Sequence, residues 1–146
     1  MIRKFLSQDI SFKLLILEAT LLVLIGRVCV LLLPFKLYAS SLGLVNMETP
    51  THPIVSEKKK IKHIENAIEA VSKHTFWSSN CLAQAICCHW MMKRRGIPYT
   101  IYLGVKTGKT KRLMAHAWTR VGDKIVTGAS GHQNYTTTGM FAYFGK

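Results

Sequence analysis

Two short stretches of this chain hold residues that could do covalent chemistry. Ser78-Ser79-Asn80-Cys81-Leu82-Ala83-Gln84-Ala85 is a polar loop running into a helix, with a cysteine at the hinge. Further along, Ala115-His116-Ala117-Trp118 places a histidine in a strand-like run. A thiol at a helix start and a histidine on a strand are the two parts that nucleophilic acyl chemistry requires. Taken singly each is weak, because a histidine or a tryptophan on a strand is most often a packing residue.

The other thiols set Cys81 apart. Cys29, Cys87 and Cys88 form no CxxC pair and no regular spacing with it, so neither a zinc framework nor a disulfide scaffold is expected. Adjacent Cys87 and Cys88 read as small buried residues, and reduced thiols point to a cytoplasmic protein. With Asn80 as N-cap, Cys81 falls in the first helical turn, where unpaired backbone N–H groups and the helix dipole favour a thiolate. Cys88 lies on nearly the same face but about 10 Å deeper along the axis, and Cys87 is turned away.

The elements that must position this pair follow from periodicity. Ile61, Ile64, Ile68 and Val71 recur at helical spacing and predict an amphipathic helix over 57–73, started by Ser56 and Glu57. A second helix over 81–95 stops at Gly96, with Lys93-Arg94-Arg95 in its last turn and Pro98 beyond. The period then becomes strand-like, giving strands at 99–105, 113–121 and 125–127. Gly122-Asp123 turns the second strand into the third. On the middle strand His116 shares a face with Met114, Trp118 and Arg120. The expected fold is α+β, two helices followed by an antiparallel meander.

The first third differs in character. A segment over 1–50 is apolar and helical, separated by the linker 45–53 from a domain over 51–146. Glu18 and Arg27 interrupt the apolar run, leaving charge-free pieces at 19–26 and 28–35 that are short for a membrane span. Arg3 and Lys4 ahead of the run and Ala39-Ser40-Ser41 behind it mimic a secretion signal, but the run is too long and too charged for one. Pro34 should end the first long helix, with a short second helix over 36–42. A helix apolar nearly all round must be covered by protein or membrane.

The 146 residues carry a formal net charge of +13, with 15 Lys/Arg against 4 acids over 57–146. Such a surface favours an anionic partner. Much of the Lys58-Lys59-Lys60 run is simply the solvated side of the 57–73 helix. The Lys106–Arg112 loop has no aromatic side chains, so no nucleic-acid partner is expected.

In order and spacing, Asn80-Cys81-Leu82, Met92-Lys93-Arg94-Arg95-Gly96-Ile97-Pro98, Leu103-Gly104-Val105 and Ala115-His116-Ala117-Trp118 resemble the transglutaminase-like cysteine proteases that mature lasso peptides. The resemblance is to their B-type leader peptidases and covers about 57–146, while Leu33-Pro34-Phe35 lies in a segment similar to their small helical region. It implies a papain-like core with Cys81 as nucleophile and His116 as base, needing no metal and no cofactor. It also implies a ribosomally made precursor cut at the leader–core junction, a separate small leader-recognition protein, and an ATP-dependent lasso cyclase acting next. The apolar segment then becomes a docking surface for such a partner, a cover for the catalytic domain, or a peripheral membrane contact. The alternatives are a basic protein binding nucleic acid or membrane, and a transglutaminase-like acyltransferase using the same thioester.

The chain departs from this pattern at the third catalytic position. The matching region, Thr127-Gly128-Ala129-Ser130, has no acid, and Asp123 in the turn lies roughly 20 Å from His116 along the strand. Pairing across a Gly122-Asp123 turn sets 116 opposite 129 and 118 opposite 127. Thr127, Ser130, Gln133 and Asn134 are therefore neutral candidates to orient the imidazole, with His132 a weaker one. The oxyanion donors expected are the Cys81 backbone N–H and a group in the Trp77–Asn80 loop, Asn80 among them.

Overall fold

The computed structural model describes residues 9–74 and 80–146. Its elements in chain order are helix α1 (Ile10–Leu32), short helix α2 (Phe35–Ala39), strand β1 (Leu44–Val45), helices α3 (Lys58–His74) and α4 (Cys81–Arg94), and strands β2 (Tyr99–Thr107), β3 (Leu113–Val121) and β4 (Lys124–Thr127). A 3-10 turn (His132–Asn134) then leads to strand β5 (Thr136–Tyr143). This is the expected α+β architecture, with helices packed on a small antiparallel sheet. The sheet order is β1-β5-β2-β3-β4.

The periodic signals place the elements well. Ile61, Ile64, Ala67, Ile68 and Val71 form the buried stripe of α3. Helix α4 starts at Cys81 because the Asn80 side chain accepts the Ala83 N–H at 2.8 Å, which satisfies one unpaired donor of the first turn. Both helices lie on one face of the sheet, against Tyr99, Ile101, Ala117 and Val121. Pro34 ends α1 by holding Leu33 extended.

Two parts depart from the sequence expectation. Thr136–Tyr143, not expected as a strand, is inserted between β1 and β2 and pairs with both. The expected linker 45–53 begins inside the sheet and continues as a strap across the face opposite the helices. Thr49 hydrogen-bonds Thr100 through its N–H and hydroxyl at 2.9 and 2.8 Å. Arg120, nearly buried, donates to the carbonyls of Thr49 (2.7 Å), Pro50 (3.2 Å) and Gly122 (2.6 Å), to Tyr102 Oη (2.8 Å) and to Glu48 (3.0 Å). One strand residue thus fixes the path of the strap.

The apolar segment shares the core of the rest of the chain. Ala19, Val23 and Gly26 of α1 are buried, and Ala19 and Val23 join Ile64, Ile86 and Met91 in a single cluster. Glu18, the acid that interrupts the apolar run, pairs with Arg94 (2.5 Å) and Arg95 (2.7 Å) at the end of α4. Its place in an apolar helix is explained by that anchor.

Candidate active site

Strand β4 pairs only with Thr119, Arg120 and Val121 of β3, so the Ala115–Trp118 stretch is left without a strand partner on that side. There the start of α4 approaches. The Ala117 backbone N–H donates to Cys81 Sγ at 3.4 Å, joining the helix terminus to the strand that carries the histidine. Cys81 and His116 line one cleft of about 600 Å³ between α3 and the β4 end of the sheet, floored by Ile68 and Val126.

The group that meets His116 is one the side-chain inventory could not name. His116 Nε2 lies 2.8 Å from the Gly128 carbonyl oxygen. With Nε2–H donating to that acceptor, Nδ1 is the ring nitrogen left to exchange a proton with a thiol. Gly128 has φ +69°, and a Cβ there would stand 2.3 Å from the Ala117 carbonyl oxygen and 2.9 Å from Trp118 Cα. Glycine is required for the chain to turn in so closely.

This corrects the candidates Thr127, Ser130, Gln133 and Asn134 as imidazole partners. Thr127 lines the cleft, but its hydroxyl is buried with no hydrogen-bond partner among the described residues. Ser130 sits exposed at the cleft wall, whereas Gln133 and Asn134 lie in the exposed 3-10 turn outside it. The cause is a bulge between Thr119 and Arg120, which sets Thr127 opposite Thr119 instead of Trp118. The expected pairing is out by one residue beyond that point, and a backbone oxygen falls where a side chain was sought. Asp123 remains in its exposed turn, away from the cleft.

Aromatic rings surround the imidazole. His116 packs against Trp118 (centroids 5.9 Å) and Tyr135 (4.9 Å), and Trp118 in turn stacks on Tyr102 at 5.5 Å. Gly104, opposite His116 in the sheet, leaves room for this, since a Cβ there would be 2.8 Å from Trp118 and 2.9 Å from Tyr135. Tyr135 carries the Lys106 ammonium over its ring at 4.4 Å. Sequence reasoning missed Tyr135, whose only signal is an aromatic in a polar, turn-forming stretch. His132 instead meets the Ala129 carbonyl at 2.6 Å and the Trp118 ring at 5.7 Å.

The remaining thiols are placed differently. Burial pushes the Cys88 thiol up to about 12 and the Cys87 thiol well above its ordinary range, so both stay protonated and inert. Cys29 lies on α1, away from the cleft. Of the expected oxyanion donors, the Cys81 N–H is at the open end of α4, while the Asn80 carboxamide oxygen is engaged as the cap. Trp77, Ser78 and Ser79 lie outside the described residues. No group of metal-ligating side chains is assembled among the described residues.

Comparison with protein families bears on the fold. The family model described as Transglutaminase-like superfamily matches residues 29–140, which contain Cys81, His116 and all five strands but for the last three residues of β5. The chain belongs to the transglutaminase-like superfamily, which includes cysteine proteases and acyltransferases. No curated protein and no solved structure matches it.

Proposed function

We propose that this protein is a cysteine peptidase that removes the leader from a ribosomally made lasso-peptide precursor. The observation that carries the reading is that Cys81, at the open end of α4, and His116, oriented by a backbone carbonyl, line one cleft of a transglutaminase-like domain. The ordered likeness of the Asn80-Cys81-Leu82 and Ala115-His116-Ala117-Trp118 stretches to the lasso leader peptidases supports the substrate class.

In this mechanism His116 Nδ1 takes the thiol proton as Cys81 Sγ attacks the carbonyl at the leader–core junction. The Cys81 N–H faces the developing oxyanion. Collapse breaks the peptide bond, and His116 returns the proton to the departing core amine. Water then attacks the leader thioester, releasing the leader as a free acid and restoring the thiol. The freed core amine is the nucleophile that a separate ATP-dependent cyclase needs for ring closure. A small leader-recognition protein delivers the precursor, and the basic character of 57–146 suits an acidic leader.

The test is incubation with a lasso precursor, with and without the separate leader-recognition protein, followed by mass spectrometry. The reading expects two fragments whose masses sum to the precursor plus one water. An intact precursor under both conditions contradicts it. A leader joined to an added amine assigns acyl transfer instead.

A further inference from the structure

Helix α1 buries one side and presents the other. Twelve of the nineteen exposed large apolar side chains among the described residues fall between Ile10 and Leu37. Within α1, Leu14, Leu17, Leu21, Leu24, Val28 and Leu31 alternate at steps of three and four, forming one stripe along the whole helix. Scattered exposed leucines need no explanation, but a continuous stripe of this kind marks an interaction surface.

The chemistry of the rim selects the occupant. A groove beside Leu14, Leu17, Leu21 and Ile25 is walled by Arg94 and Arg95. The next groove holds Trp90 and Lys93 beside Leu22, and exposed Lys36 lies between exposed Phe35 and Leu37 at the far end. Glu18 is neutralised by its two arginines. The stripe itself holds only Leu and Val, without the aromatic and arginine anchors that centre protein–protein interfaces. Aromatic and basic groups sit at its margin, as they do where a protein meets lipid headgroups. Pairing with a second copy would bring together two chains of charge +13 with basic rims.

We propose that the exposed face of α1 seats the protein on an anionic bilayer surface, with the stripe among the acyl chains and Lys36, Lys93 and Arg94 at the phosphates. The helix lies in the interface plane and does not cross it, because Glu18 and the buried Ala19, Val23 and Gly26 hold it along α3 and α4. This inference is independent of the peptidase reading.

Flotation of the full chain with vesicles tests it. The protein should float with phosphatidylcholine–phosphatidylglycerol vesicles and far less with phosphatidylcholine alone. The Leu14→Ser/Leu21→Ser/Val28→Ser variant should lose binding by about tenfold or more, since each serine removes an apolar side chain from the lipid. The Lys36→Glu/Lys93→Glu variant changes two charges at the rim, its fold checked by thermal unfolding, and should lose the preference for the anionic vesicles. Wild-type protein that stays unfloated overturns the proposal. So does a folded triple-serine variant that floats as wild type, or, should that variant unfold, a charge-reversed variant with unchanged flotation. A dimer abolished by the serines, with no flotation, assigns the face to a second copy.

Discussion

His116 Nε2 and the Gly128 carbonyl oxygen stand 2.8 Å apart, and the glycine that supplies this acceptor turns in the left-handed region so close to Ala117 and Trp118 that a Cβ has no room. The histidine and the backbone that orients it are thus folded against each other across one bulge. The acceptor is fixed by chain path and does not depend on the rotamer of a second side chain.

Gly128→Ala should therefore damage both stability and chemistry. A left-handed alanine costs about 1–3 kcal/mol, and its methyl would meet a carbonyl oxygen at 2.3 Å. Thermal unfolding should report the loss of stability. Precursor cleavage per folded molecule should fall by a further tenfold or so as the carbonyl moves away from the imidazole. Full cleavage by the folded fraction would show that the carbonyl does not orient the histidine.

Tyr135 offers a cleaner separation of ring from hydroxyl. Its ring packs on His116 at 4.9 Å, and its hydroxyl has no part in the contact described. Tyr135→Phe should keep cleavage within about twofold, whereas Tyr135→Ala should lower kcat about tenfold by freeing the imidazole. The KM should change less than kcat, because the ring supports the base and not the substrate.

How much of this was legible beforehand varies by element. The helices were clear because Ile61, Ile64, Ile68 and Val71 keep one period, and Asn80 and Gly96 mark the ends of α4. Cys81 was distinguishable because only it follows a capping residue. The imidazole partner was not legible, because a backbone oxygen leaves no trace in residue types and a single bulge shifts the register. Strand β5 was obscured by Thr136-Thr137-Thr138-Gly139, a polar start whose partners lie on β2, far away in sequence. The strap's fixed course depends on Arg120, whose five acceptors come from three separate parts of the chain.

Arg120 should accordingly be costly to replace. Arg120→Met leaves the carbonyls of Thr49, Pro50 and Gly122 and the Tyr102 hydroxyl without their donor. Stability should drop by about 3 kcal/mol in a denaturant titration. A loss below about 0.5 kcal/mol would mean the strap is held by other contacts.

The buried His89 makes stability depend on pH. Its Nδ1 meets Tyr99 Oη, which donates to the Leu42 carbonyl at 3.0 Å. Burial, with the Lys93 charge adding, pushes the imidazole from its ordinary 6.5 down to about 4. Between these values the unfolded chain binds the extra proton. The contribution is therefore intact above pH 6.5 and is lost as pH falls toward 4, by up to about 3 kcal/mol. Urea midpoints measured across this window should decline with falling pH. They should decline less in His89→Gln, whatever its starting stability.

The most direct test of the central claim is to alkylate the native protein with limiting iodoacetamide, locate the adduct by peptide mass mapping, and follow residual precursor cleavage. The account predicts that modification of Cys81 runs in proportion to loss of cleavage, with Cys87 and Cys88 protected by burial. Protein fully alkylated at Cys81 that still cuts the precursor at the original rate would contradict it.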